Sequence, residues 1–128
     1  MIWLRSALFN LALFGMTALW LITVGLPLLL APERTALRAG AAYSRFLLWL
    51  LARLAGLDFE LRGDRRLLAG PAMVVAKHQS AWDTFIFFVI AEAPAYVMKE
   101  ELFRIPIYGW LARHQGMIGI DRAAGAKG

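Results

Sequence analysis

Cysteine is absent from this chain of 128 residues. Its absence excludes disulfide frameworks, thiolate nucleophiles and cysteine-based zinc sites, and it leaves the redox compartment undefined. Histidine is scarce, since only His78 and His114 occur. Internal repeats, low-complexity tracts and clustered basic runs are also missing, and without a basic run the sequence does not favour nucleic-acid binding. Imidazole chemistry is therefore restricted to two positions.

Charge is missing from residues 6–31, a stretch of 26 residues. About 20 apolar residues are enough for a helix to cross a bilayer, and 60% of the whole chain is hydrophobic. A secretory signal peptide is the alternative, but its apolar core is only roughly 7–15 residues long and no clear Ala-x-Ala cleavage site follows here. The stretch predicts a retained membrane helix or a long membrane-inserted segment.

Residues 33–56 predict a second helix with a basic edge. Four of its arginines project within an arc of about 100°: Arg34, Arg38, Arg45 and Arg53. This helix is expected to lie in the headgroup layer or to pair with the first helix; an apolar helix packed on a catalytic domain is the alternative. Lys and Arg outnumber Asp and Glu by 14 to 9, which suits anionic headgroups or a phosphate-bearing substrate.

The pattern changes after residue 56 to short strands alternating with helices, which is the order of an α/β domain. The predicted strands are 57–61, 72–76 (buried), 94–98 and 116–121. The predicted helical segments are 80–92, a turn at 100–103, and a helix that follows a break at Pro106 and ends near Gln115. We therefore expect two regions, a membrane-associated helix pair at 1–56 and an α/β domain at 57–128.

A histidine and an aspartate five positions apart follow the predicted strand 72–76, namely His78 and Asp83. On a continuous helix this spacing separates two side chains by about 140°, so they meet only if the helix begins at Ser80. In that geometry Asp83 orients the imidazole and His78 accepts a proton as a general base. The same residues also fit a Ser-x-x-acid helix cap, and the spacing alone does not decide between the two hypotheses.

Ser80 is a poor candidate for a nucleophile, because the chain has no Gly-x-Ser-x-Gly turn around it. If acyl chemistry takes place here, the substrate has to supply the attacking group. His114 has no matching carboxylate in the sequence, and we interpret it as structural.

A second polar cluster follows the predicted strand 116–121, which ends at Asp121 and Arg122. An arginine offers a planar fork of donors that suits phosphate, and Lys99 follows the preceding predicted strand. An ordinary surface Asp–Arg pair and a solvated lysine are the alternatives. The sequence offers no set of ligands for a metal ion.

Four blocks, taken together, resemble the 1-acyl-glycerol-3-phosphate acyltransferases of phospholipid synthesis. They are His-x4-Asp at 78–83, Lys-Glu-Glu-Leu-Phe at 99–103, Ile-Pro-Ile-Tyr-Gly-Trp at 105–110 and Gly-Met-Ile-Gly-Ile-Asp-Arg at 116–122. Their order and spacing match over about residues 57–125. Lys77 stands where many members carry asparagine, and the family's Phe-Pro-Glu-Gly-Thr-Arg block has no counterpart, so we expect the chain to contain only the first part of the domain.

The resemblance implies a membrane-associated helix pair followed by a glycerolipid acyltransferase α/β domain. In the implied reaction His78, oriented by Asp83, deprotonates the sn-2 hydroxyl of lysophosphatidic acid. The hydroxyl then attacks the thioester of acyl-CoA or acyl carrier protein and gives phosphatidic acid. Substrate binding falls to Arg122, Lys99, Gly116 and Asp121. No metal or other cofactor is implied, and the expected location is a bacterial inner membrane with the catalytic part on the cytoplasmic face.

Three alternatives stay open beside this reaction. The acceptor is another lysolipid, or the chain is a non-catalytic membrane-binding module in which basic residues bind anionic lipid and His78 is incidental. A hydrolase that uses the same histidine to activate water is the third.

Overall fold

The computed structural model describes residues 2–64, 70–80, 82–91 and 93–121. Over these residues the protein is mostly helical, with one small parallel sheet. The chain forms two compact units: one contains the residues up to Gly15 together with Ala39–Pro94, and the other contains Met16–Arg38 together with the residues from Ala95 onward. The division at residue 56 is a division by sequence and stays a prediction.

The predicted apolar helix forms at the N-terminus. Helix α1 (Ile2–Trp20) continues through one turn of π-helix (Leu21–Gly25) into the short helix α2 (Leu26–Leu28). The segment Trp3–Leu28 has a mean hydropathy of 2.0 and is mostly exposed, so its length and composition suffice for a membrane span. Within the first unit the exposed large side chains of α1 are Trp3, Leu4, Leu8, Leu11 and Phe14.

Helix α3 (Glu33–Ala55) confirms the second predicted helix. Its four arginines at 34, 38, 45 and 53 are exposed, whereas Leu47 and Leu48 are buried, so the helix is amphipathic as its periodicity predicts. The Arg5 Nε donates a hydrogen bond of 2.6 Å to the Leu54 carbonyl oxygen. A cation therefore caps the last turn of α3, where unpaired carbonyls carry partial negative charge.

The predicted strands 57–61 and 72–76 are wrong. Neither segment forms a strand in the described residues, and the segment expected to be buried is open to solvent, with Met73 93% and Val75 92% exposed. A strand is stabilised only by its neighbours, and no partner strand lies beside these residues in the part of the chain that the structure describes. The apolar composition of residues 72–76 suggests a buried strand, but these residues form an exposed segment without a partner strand in the described chain.

Helix α4 (Trp82–Ile90) lies within the predicted helix 80–92, and Ile86 on it is buried. Its first turn packs against the segment that precedes it, because the Trp82 ring meets the Phe59 ring edge to face with centroids 5.7 Å apart. This contact ties the start of α4 to residue 59.

The predicted order strand, short helix, helix, strand is confirmed beyond residue 94. It consists of β1 (Val97–Lys99), a 3₁₀ helix (Glu100–Arg104), α5 (Tyr108–His114) and β2 (Ile118–Ile120). The two strands are parallel, with Val97 opposite Ile118 and Lys99 opposite Ile120. Strand β1 begins later than predicted, and the apolar side chains of Val97 and Ile118 stay more than half exposed.

Close backbone packing holds the connection between the two strands. A methyl group on Gly109 of α5 would overlap the Phe103 carbonyl group and lie 2.7 Å from its Cα. Just before α5, Ile107 has a φ of 64°, and the Tyr108 amide donates to the Pro106 carbonyl at 2.7 Å. This is the rare, positive-φ γ-turn, and it lets the chain reverse sharply from the 3₁₀ helix into α5.

Candidate active site

His78 and Asp83 lie together in the structure. The His78 Nδ1 is 3.4 Å from the Asp83 Oδ2. The two side chains can meet because they do not lie on one continuous helix. His78 lies in the irregular segment before the helix, and α4 begins only after Ser80. A carboxylate can only accept, so the contact favours the tautomer with its proton on Nδ1 and leaves Nε2 as the basic nitrogen.

The same aspartate caps helix α4. Its Oδ2 accepts hydrogen bonds from the backbone amides of Gln79 at 2.6 Å and Ser80 at 3.0 Å. In return the Ser80 hydroxyl oxygen accepts from the Trp82 amide at 3.3 Å. Asp83 thus reaches back to the N-cap amide as the Ser-x-x-Asp pattern predicts, while the Ser80 hydroxyl caps the second helical amide and not the third. The cap and the histidine contact are therefore two functions of one carboxylate.

The capping bonds also set the charge of this carboxylate. The Gln79 amide first, and the Ser80 amide second, hold the pKa of Asp83 below its ordinary value, with a smaller contribution from His78. Asp83 is therefore ionised at neutral pH. Its side chain is 20% exposed whereas that of His78 is 72% exposed, so a fixed, sheltered anion lies beside an imidazole that a substrate can approach.

The polar residues of the second cluster lie on the strands. Lys99 ends β1 and Asp121 follows β2, so both come at the carboxyl end of parallel neighbouring strands, where sites of open sheets gather. We call this the Lys99–Asp121 edge. Arg122, the predicted phosphate ligand, lies outside the described residues.

Gly116 lies at the other end of β2. Its φ is +75°, and its amide donates to the Arg113 carbonyl at 3.1 Å in the turn that leaves α5. This conformation favours glycine, so the turn accounts for the residue type. Its assignment to substrate binding stays a prediction, as do the roles of His78, Asp83, Lys99 and Asp121.

Sequence analysis missed Glu100 as a support for β2. Its carboxylate lies against the backbone of Gly119, where a side chain would overlap it, and Arg113 pairs with it at 3.6 Å. The Arg113 guanidinium also lies 5.1 Å from the Phe103 ring centroid. No signal in one sequence indicates such contacts, because they depend on the chain reversal between β1 and β2.

Metal-ligating side chains are not gathered anywhere in the described residues: no three of His, Asp and Glu are placed to hold an ion together. The Asp83 carboxylate faces one imidazole and two amides. Those partners suit orientation of the imidazole by an anion.

Comparisons with known proteins identify the family of this chain. A family model described as Acyltransferase matches residues 58–128. The 1-acyl-sn-glycerol-3-phosphate acyltransferase of Pseudomonas aeruginosa is 36% identical to this chain over 81 residues, which cover 63% of this chain and 32% of that protein. The aligned stretch thus spans about a third of the curated relative. No solved structure matches the chain significantly.

The family match covers more than half of the chain and includes His78, Asp83, and both strands of the sheet. It agrees with the resemblance that the four sequence blocks carry. The chain belongs to the acyltransferase family, and within it to the group that resembles the 1-acylglycerol-3-phosphate acyltransferases.

Proposed function

We propose that this protein transfers an acyl group from acyl-CoA or acyl carrier protein to the sn-2 hydroxyl of lysophosphatidic acid. The observation that carries the proposal is the accessible imidazole of His78 beside the anchored Asp83 carboxylate. The related enzyme from Pseudomonas aeruginosa, whose name states this acceptor, supports the choice of substrate. The product is phosphatidic acid.

In this reaction one atom, the Nε2 of His78, serves first as the base and then, once protonated, as the acid. The Nε2 of His78 removes the proton of the acceptor hydroxyl while the oxygen attacks the thioester carbonyl carbon. The C–S bond then breaks, and the thiolate takes the proton back from the imidazolium. Asp83 stabilises the imidazolium between these two transfers, and general-base catalysis of this kind contributes about 10²–10⁴ in rate. A thioester is already activated, so the scheme uses no metal or other cofactor.

The Lys99–Asp121 edge and Arg122 are the proposed binding site for the acceptor phosphate. The Lys99 side chain is exposed at the carboxyl end of β1, where a cation can meet an anionic headgroup. Arginine adds bidentate hydrogen bonds that a lysine cannot make.

Membrane attachment through Trp3–Leu28 brings the enzyme to a lipid substrate. When the exposed apolar side chains of α1 leave water for the bilayer, the free energy falls by roughly 25 cal/mol for each Å² of apolar surface removed from water. Trp49 of α3 is about half exposed, and the Arg53 guanidinium lies 5.6 Å from its ring centroid, a pairing typical of the headgroup layer. A bacterial inner membrane is the location that we propose.

The test measures transfer of labelled acyl groups to lysophosphatidic acid by the full-length protein in vesicles. Wild type is expected to form labelled phosphatidic acid, and His78→Ala to lose about 10²–10⁴ in kcat. Arg62→Ala is the control, because the exposed Arg62 pairs with Glu60 on the surface at 2.9 Å. Release of free fatty acid without transfer indicates a hydrolase, and undiminished turnover by His78→Ala refutes the proposal.

A second candidate function is non-catalytic binding to anionic membranes, favoured by the exposed arginines of α3. In this case neutralising the arginines at 34, 38, 45 and 53 weakens binding to phosphatidylserine vesicles, whereas His78→Ala leaves it unchanged. Vesicle sedimentation at two salt concentrations measures both. Acyl transfer that depends on His78 excludes a purely non-catalytic role.

A further inference from the structure

The end of helix α5 is hydrogen-bonded to the turn that joins α2 to α3 and to the first turn of α3. The His114 Nε2 lies 2.8 Å from the Ala31 carbonyl oxygen, and the Gln115 Nε2 donates to the Ala36 carbonyl at 2.9 Å. Gln115 is only 8% exposed. A carbonyl can only accept, so His114 donates from Nε2 in this contact. Both bonds link positions about 80 residues apart within one compact unit.

The other end of α5 contacts the π-helical turn. Gly25 is buried there, and a methyl group on it would lie 3.6 Å from the Leu111 Cδ2 and 3.7 Å from the Ile107 Cγ2. These are ordinary van der Waals distances, so a methyl group would fit here, whereas a larger side chain would push Leu111 and Ile107 away. We call Ile107, Leu111, His114 and Gln115 the α5 clamp, because they contact Gly25, Ala31 and Ala36 and so hold the segment 19–36 at three points.

Only two residues, Gly116 and Met117, join the α5 clamp to β2. Their backbone amides donate back to α5, Gly116 to the Arg113 carbonyl at 3.1 Å and Met117 to the Ala112 carbonyl at 3.0 Å. Strand β2 is in turn paired with β1, which places Lys99 opposite Ile120. The Lys99–Asp121 edge is therefore connected to the clamped segment through a short path in which every step is bonded.

The clamped segment carries exposed large apolar side chains, which we call the lipid-facing stripe: Leu19, Ile22, Val24, Leu26 and Leu30. Gly25 and Leu28, which lie between them in sequence, are buried. Such a stripe is stable in acyl chains and costly in water.

We infer that His114, Gln115 and Gly25 are positioning residues, which hold the Lys99–Asp121 edge at a fixed distance from the lipid-facing stripe. The consequence is that the enzyme selects acceptors that reside in the bilayer. A lysolipid embedded in the bilayer meets the Lys99–Asp121 edge at the correct depth, whereas the binding of a dissolved lysolipid does not depend on this distance. This inference rests on the proposed function. None of the three residues is proposed to contact substrate.

The test compares two acceptors with the full-length protein in the same vesicles, long-chain lysophosphatidic acid in the bilayer and a short-chain, water-soluble lysophosphatidate. His114→Leu, which removes the donor, is expected to lower kcat/KM about tenfold for the embedded acceptor, mainly through KM. The soluble acceptor should change less than about twofold. His114→Gln, which restores a donor nitrogen, is expected to recover most of the loss.

Glycine variants give a matched control in the same apolar segment. A Cβ at residue 25 meets Leu21, Leu111 and Ile107, whereas a Cβ at residue 15 meets nothing within 4 Å, so Gly25→Leu and Gly15→Leu form a matched pair. We expect only Gly25→Leu to reproduce the selective loss. Equal loss on both acceptors, or no loss on either, overturns the inference. Wild type that acylates neither acceptor overturns the proposed function itself, and the two failures are thus distinct.

Discussion

The segment around His78 and the unit formed by β1, α5 and β2 hold their polar residues in different ways. His78 and Asp83 are brought together by contacts within six residues, and the segment before them is exposed. Lys99 and Asp121 come to one edge through chain reversal, strand pairing and buried packing at Gly109 and Gln115. The proposed base is thus locally encoded, while the proposed phosphate edge depends on tertiary structure.

The comparison is sharpened most by separating the charge of Asp83 from its capping role. Asp83→Asn keeps an oxygen that accepts from the Gln79 and Ser80 amides, but it cannot stabilise an imidazolium. We expect kcat to fall on the order of 10², with the free energy of unfolding lowered by no more than about 1 kcal/mol, because only the charge at the helix N-terminus is lost. Kinetics and denaturant unfolding measure the two effects. An unchanged kcat would mean that Asp83 is only a cap.

Substitution of Gly109 breaks the tertiary side of the comparison. A methyl group there overlaps the Phe103 backbone, which cannot rotate aside, so Gly109→Ala should lower the free energy of unfolding by about 1–3 kcal/mol. Gly15→Ala is the control, because its helix position is open and alanine gains up to about 1 kcal/mol in helix propensity. Unfolding in detergent micelles measures both, and equal stabilities contradict the packing argument.

Removal of the Ser80 hydroxyl tests how local the dyad is. Ser80→Ala loses the acceptor for the Trp82 amide, and we expect it to cost about 0.5–1 kcal/mol of stability. The Asp83 contacts to Gln79 and His78 remain, so kcat should stay within roughly threefold. Ser80→Asp restores a cap and should restore stability. A loss of kcat as large as that of Asp83→Asn would show that Ser80 belongs to the catalytic machinery.

Acid should give the smallest effect. The pKa of Asp83 is lowered in the folded protein, so its carboxylate stabilises the fold above the ordinary value of about 3.9. This contribution is lost as the pH falls through the lowered pKa, because the proton then binds the folded state. We expect about 0.3–1 kcal/mol, measured as the difference in unfolding free energy between wild type and Asp83→Asn from pH 6 to pH 2.

Local signals in the sequence predicted the contact between His78 and Asp83 better than they predicted the sheet. The spacing of His78, Ser80 and Asp83 correctly implied that a meeting requires a helix starting at Ser80, and the capping pattern was confirmed at the same oxygen. The cap and the His78 contact coexist on one carboxylate, so the cap does not exclude the proposed dyad. The hydrogen bond from the Gln79 amide to Asp83 could not be predicted from the sequence, because every residue except proline carries a backbone N–H.

The strands show the limit of apolar patterns. Residues 116–121 contain β2 as predicted, whereas 72–76, equally apolar, forms no strand in the described chain. A pattern reports which side chains avoid water and not which backbone lies beside them. Glu100 on Gly119 and the α5 clamp were missed for the same reason, since both depend on residues distant in sequence.

The exposed segment Ala72–Ala76 has a consequence for handling the protein. It is uncharged and rich in valine, its backbone has no ladder partner in the described chain, and such segments template intermolecular β-pairing and aggregation. Pro71 and Lys77 flank it on either side, the residue types that act as gatekeepers against association. Concentrated protein without lipid or detergent should therefore self-associate through this segment, and Lys77→Val should accelerate that process.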